Sequence, residues 1–219
     1  DDTLIVNHDP DYHRMDIEKT KYGELKKIPL SNGETIPTVR QYINAGLENN
    51  RHTRLVLEIK PSADKNRGRQ IAEKCVELVR ALKAEDYIVY ISFDYDILLK
   101  VKEVDPLATT QYLRGDKAPS ELKADGITGA DYQFSVFKTN PYWIKQAKEN
   151  NILLNAWTVN EEADMTCLLD QGFGQFLVAE AGAEAEAGQV VIGEAAVEGA
   201  LFRRRVERDA LILAAIQAQ

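Results

Sequence analysis

His8 is the first residue in this chain placed to do chemistry. It follows Leu4-Ile5-Val6, an apolar β-forming run, and precedes Asp9-Pro10. The pattern predicts a buried parallel strand that ends in a polar loop. His8 would then stand at the carboxyl end of a strand, where α/β folds carry their chemistry. An imidazole titrating near neutrality suits general acid or base work. An ordinary histidine at a strand end has the same local context. Asp9 would orient the ring, or serve as the turn residue before a proline.

Glu58 carries more information. It is the penultimate residue of Leu55-Val56-Leu57-Glu58-Ile59, an otherwise apolar run. A carboxylate buried there needs a partner, because an unpaired buried charge is costly. Lys60 lies two residues on and shares its face of the strand. A metal ion or Lys60 itself would satisfy the carboxylate. An acid and a base aimed at one space suit a metal plus an anionic oxygen such as a phosphate. A simple structural ion pair suits them equally. Trp157 ends a further apolar strand beside Thr158 and Asn160. It is either a core residue or the wall of a pocket mouth.

The remaining candidates are weaker. His13 and His52 fall in loops without ligand spacing and read as surface residues. Cys75 and Cys167 each lie on a helical apolar pattern and read as buried free thiols. The chain contains no Gly-rich phosphate loop, no cysteine cluster and no G-x-S-x-G elbow. A formal net charge of −8 argues against general nucleic-acid or anionic-membrane binding. No apolar run approaches the roughly 20 residues of a spanning helix.

The elements that must position these residues alternate. Strands are predicted at 55–60, 87–91, 109–113, 130–134 and 152–159. Helices are predicted after Pro37, over about 65–83, after Asp94, after Asn140-Pro141 and after Asn160. The segment 11–36 reads as irregular, and 114–126 as a loop with room for one helical turn. Such alternation predicts a parallel sheet with helices outside. Polar residues fall at the ends of several different strands, which is the barrel pattern. Composition changes near residue 174. From Leu177 onward there is no Lys, Ser, Thr, Asn, Pro, Tyr, Trp or His. Here 189–192 reads as a short strand, 181–188 as a linker and 199–219 as an amphipathic helix. The expected division is therefore a barrel portion over 1–173 and an Ala/Glu/Arg-rich tail over 174–219.

The ordered set LIVNHDP (4–10), GETIPTVRQYI (33–43), LEIK (57–60), ISFD (91–94) and NAWTVN (155–160) resembles the glycerophosphodiester phosphodiesterase family. The likeness covers about residues 1–173. It implies a TIM-type (β/α) barrel and metal-assisted hydrolysis of a small-molecule glycerophosphodiester to an alcohol and glycerol phosphate. By resemblance, His8 is one histidine of an acid–base pair. Glu58 is a ligand of a divalent metal, calcium or magnesium. Lys60 faces the phosphate, and Trp157 borders the glycerol or leaving group. The family's His-Arg strand and Glu-x-Asp strand have no counterpart here, since in family order they precede residue 1. The expectation is thus a barrel incomplete at its N-terminal side, with one of two histidines and one of three metal carboxylates. Little or no turnover follows from that. The alternative is a non-catalytic barrel-derived scaffold or binding protein whose tail patches the gap.

Overall fold

In the computed structural model, residues 1–177, 190–193 and 210–218 are described. The chain is an α/β protein of the TIM-barrel type. The N-terminal segment contains β1 (Leu4–Val6), β2 (Asp11–Tyr12), β3 (Met15–Asp16) and α1 (Tyr22–Leu25). Strand and helix then alternate: α2 (Val39–Leu47), β4 (Leu55–Ile59), α3 (Lys65–Ala81), β5 (Ile88–Ser92), α4 (Tyr95–Val104), β6 (Thr109–Tyr112) and α5 (Pro119–Ala124). They continue with β7 (Gly129–Gln133), α6 (Phe134–Thr139), α7 (Tyr142–Asn150), β8 (Leu153–Trp157), α8 (Glu162–Asp170) and β9 (Gln175–Leu177). Two tail strands follow, β10 (Val190–Gly193) and β11 (Ala210–Ala218).

Strands β4 to β9 pair in sequence order, all parallel. β10 pairs antiparallel with β9 and with β11. β11 then returns to β4 in parallel register, Ile212 with Leu55 through Ile216 with Ile59. Among the described residues, β10 and β11 link β9 back to β4 and close the ring of pairings. Two expectations need correction. Within 199–219, residues 210–218 form a strand and not a helix. Their sequence, ALILAAIQA, is a nearly continuous apolar run, and periodicity alone cannot separate a buried strand from a buried helix. The linker at 181–188 lies outside the described residues. β1 is a strand, as predicted, but it pairs antiparallel with β11. It therefore runs opposite in sense to β4–β9, because β11 is parallel to β4.

Period-2 alternation sorts each parallel strand into two faces. On β4, Leu55, Leu57 and Ile59 face outward into a core with Val39 and Ile43 of α2 and Ile71, Cys75, Val76 and Val79 of α3. Such side chains contribute roughly 1.5–3 kcal/mol each on full burial. α3 is set by its cap: the Asp64 carboxylate accepts from the Asn66 N–H at 2.9 Å. A second outer core joins Tyr132 and Leu154 to Phe137, Leu168 and Phe173. α8 stops at Gly172, whose φ of +79° lets its N–H reach the Leu169 carbonyl at 2.8 Å. The inner face carries Val56, Val89, Ile91 and Leu113.

The segment 11–36 is more ordered than expected. Ile5, Tyr12, Ile17, Leu25 and Ile36 make a small core of their own. Their spacing has no helical or strand period, so only the folded chain gathers them. Cys75 is buried, and burial pushes its thiol pKa up. Cys167 is exposed, contrary to expectation. It lies on α8 next to the buried Leu168 stripe, on the solvent side. His13 and His52 are exposed, as expected. Among the described residues, no helix is long and apolar enough to cross a membrane.

The Tyr90 hydroxyl is buried without a hydrogen-bond partner. An unsatisfied buried hydroxyl costs more than its removal. Tyr90→Phe is expected to raise stability by about 1 kcal/mol, read from the midpoint of a urea melt. A lower midpoint would show that the hydroxyl is satisfied.

Candidate functional site

The inner face of the parallel strands carries the polar residues. Glu58 comes from β4, Gln111 from β6, Asp131 from β7 and Asn155 from β8, and all four are buried. Lys60 follows β4 on the face of Glu58. Its Nζ lies 2.9 Å from Glu58 Oε1, with the two side chains only 18% and 6% exposed. The carboxylate thus has a counter-charge at contact distance, although the ammonium is not angled to donate a hydrogen bond to Oε1. Ser92, at the end of β5, donates to the Ile59 carbonyl at 2.7 Å and accepts from the Asp94 N–H at 3.0 Å. That bond fixes the ends of β4 and β5 side by side and holds Lys60 at the rim.

Trp157 closes this side of the mouth. It is half-buried, its indole N–H donates to the Asp131 carbonyl at 3.0 Å, and its ring meets Phe93 edge-on with centroids 5.7 Å apart. Of the two readings of Trp157, the structure favours neither alone. The ring packs on the interior cluster and keeps one side open.

Below the mouth, the Asn155 amide donates to the Gln111 side-chain oxygen. β7 lies between β6 and β8, so Gln111 must cross it. It does so over Gly129, its register partner. A Cβ at residue 129 would lie 2.7 Å from Gln111 Cγ and 3.3 Å from Leu153 Cβ. Glycine is there because another side chain occupies the space above it. Gly129→Ala is expected to cost roughly 1–3 kcal/mol, the range for overpacking a fixed interior, seen as a lowered thermal midpoint. An unchanged midpoint would mean that Gln111 can swing away freely.

Asp131 is the residue the sequence reading missed. Its Oδ1 is buried and makes no hydrogen bond. Burial first, and the Glu58 charge second, push its pKa up from the ordinary carboxylate range to about 7. The signal was present. A carboxylate between Ala130 and Tyr132 in a strand poses the same question as Glu58. Gln111 and Asn155 gave no comparable signal, because amides are common at strand ends.

His8 stands apart from this group. Its side chain is 66% exposed and its Nδ1 lies 2.8 Å from Asp9 Oδ1. Asp9 does orient the ring. Among the described residues, no hydrogen bond or ion pair joins His8 to Glu58, Lys60 or Trp157. Its strand β1 has the opposite sense to the parallel set, and its last residue, Val6, is in register with Ile216, which pairs with Ile59 at the carboxyl end of β4.

Residues 1–177 match the Glycerophosphoryl diester phosphodiesterase family. The chain belongs to that family. A glycerophosphodiester phosphodiesterase from Parabacteroides distasonis is 34% identical, with a TM-score of 0.76 over 81% of this chain and 73% of its own. A phosphodiesterase from Oleispira antarctica, solved with the product sn-glycerol-3-phosphate, is 22% identical. Its TM-score is 0.65 over 77% of this chain and 72% of its own. The Thermotoga maritima glycerophosphodiester phosphodiesterase is 18% identical, with a TM-score of 0.59 over 77% and 73%. The last two likenesses are of fold alone. No curated protein matches the chain in sequence.

Family membership brings a divalent metal into question. Calcium takes six to eight oxygen ligands, and magnesium six in near-octahedral array. Among the described residues, no three His, Cys, Asp or Glu side chains are grouped to hold an ion. Glu58, the family's metal residue by resemblance, is already neutralised by Lys60. The described residues do not fit a divalent ion.

Proposed function

We propose that this family member carries the substrate half of a glycerophosphodiester phosphodiesterase site and turns over slowly or not at all. The observations that support this are the Lys60 ammonium, one residue past the carboxyl end of β4, and the Trp157–Phe93 ring pair at the carboxyl ends of β8 and β5. A cation beside an apolar aromatic wall suits a phosphate ester with a short carbon chain. Lys60 takes a phosphate oxygen. Trp157 borders the glycerol or leaving group. His8, oriented through Nδ1 by Asp9, leaves its Nε2 for proton transfer. His13 and His52 are exposed in loops, so His8 is the one candidate here for the acid–base pair, and a missing proton-transfer partner is worth roughly 10²–10⁴ in rate.

The test has two parts. Release of glycerol phosphate from glycerophosphocholine, with calcium or magnesium present, is expected at least roughly 10²-fold below a complete family enzyme. Equal turnover would overturn the inactivity. Binding is read separately by NMR. The chain has two tryptophans, Trp143 and Trp157. sn-Glycerol 3-phosphate is expected to shift the indole N–H of Trp157 and leave that of Trp143 in place. No shift at Trp157 would sink the substrate reading.

A second reading, a non-catalytic barrel-derived binding protein, draws support from the pairing of β11 with β4. Under it, residues 174–219 form a patching tail that covers a sheet edge which would otherwise invite aggregation. Cooperative melting without light scattering supports the patched barrel. Scattering below the melt speaks against it.

A further inference from the structure

The interior of this barrel contains its own cation. Lys60 Nζ sits 2.9 Å from Glu58 Oε1, and both groups are largely screened from water. The Asp131 carboxyl, contributed to the same interior by β7, is pushed up first by burial and second by the Glu58 charge. Asp131 Oδ1 has no hydrogen-bond donor. Gln111 and Asn155 are engaged with each other beneath. A divalent ion on Glu58 would therefore find few oxygens. It would also meet an ammonium already at contact distance, in a medium where like charges repel far more than in water. β11, the strand in register beside β4, sets Ala214, Ala215 and Ile216 alongside Leu57, Glu58 and Ile59. None of those three is a metal-ligating residue type.

We infer that in this chain Glu58 is the counter-ion of Lys60 and not a divalent-metal ligand, the ammonium standing where a metal would. Lys60 thereby excludes the ion, and its removal exposes a pair of interior carboxylates, Glu58 and Asp131, to divalent cations. The inference goes beyond the substrate reading and does not depend on it.

Manganese is the probe, through its broadening of nearby NMR signals. In the full chain, Mn²⁺ at about 1 mM, the weak end of protein cation sites, is expected to leave the Trp157 indole N–H no broader than that of Trp143. Trp157 is the reporter because it hydrogen-bonds to the Asp131 backbone. Selective broadening of Trp157 in the unmodified chain would overturn the inference without any variant. Broadening of that kind would leave a glycerol phosphate shift, and so the substrate reading, intact. Lys60→Met, checked for native circular dichroism, is expected to bind Mn²⁺ at least about tenfold more tightly with selective loss of the Trp157 signal. A folded Lys60→Met that gains no binding would overturn the role given to the ammonium.

Discussion

Lys60→Ala is expected to lower the stability of the chain by about 3–5 kcal/mol, the usual cost of stranding one half of a buried ion pair. The reason lies in Glu58, whose side chain is 6% exposed and whose Oε1 has the Lys60 ammonium at 2.9 Å. Removing Lys60 leaves the carboxylate in the barrel with neither water nor a counter-charge. The double variant Glu58→Gln with Lys60→Met is expected to recover most of the loss, because both charges then leave together. Urea melts of the two variants test this, with the slope checked for constancy. If Lys60→Ala costs under about 1 kcal/mol, the pair behaves as an exposed one and the site is wetter than described.

The second large effect concerns Asp131 and pH. Its carboxyl titrates near 7 in the folded chain, against an ordinary value of 3.8. The folded state therefore holds a proton that the unfolded state has released between about pH 4 and 7. Stability must fall as pH rises through that window. The span corresponds to up to about 4 kcal/mol at pH 8, at 1.36 kcal/mol per unit. Asp131→Asn removes the titration while keeping the shape. It is expected to be more stable than the parent at pH 8, and the advantage should vanish near pH 4. Thermal melts of both chains across that range check it. Parallel pH profiles would mean that Asp131 is not the titrating group.

Both effects arise from residues buried in the barrel interior, and the two were unequally visible beforehand. Glu58 and Lys60 were legible because an acid in an apolar strand is conspicuous and period-2 spacing puts its neighbour on the same face. Asp131 posed the same puzzle from a less regular strand. Its relation to Glu58 depends on two strands that are 73 residues apart in the chain, a separation no local pattern encodes. The amide bridge over Gly129 is further hidden. It needs three strands in one register before the glycine has any reason.

The sequence by itself determined the alternation of strand and helix over 37–173, the helix cap at Asp94, and the family to which the chain belongs. These follow from short-range periodicity, capping chemistry and ordered motifs, all written within a few residues of where they act. Tertiary structure alone decided the rest. It gathered the unperiodic residues of 11–36 into a core and turned the apolar end of the tail into a strand against β4. It reversed the sense of β1, the strand that leads into His8. It also brought the Lys60 ammonium to 2.9 Å from Glu58. The physical reason is common to all of these. Strand direction, register and charge pairing are set by which segments meet across the barrel, and the energy of each choice exists only once they have met.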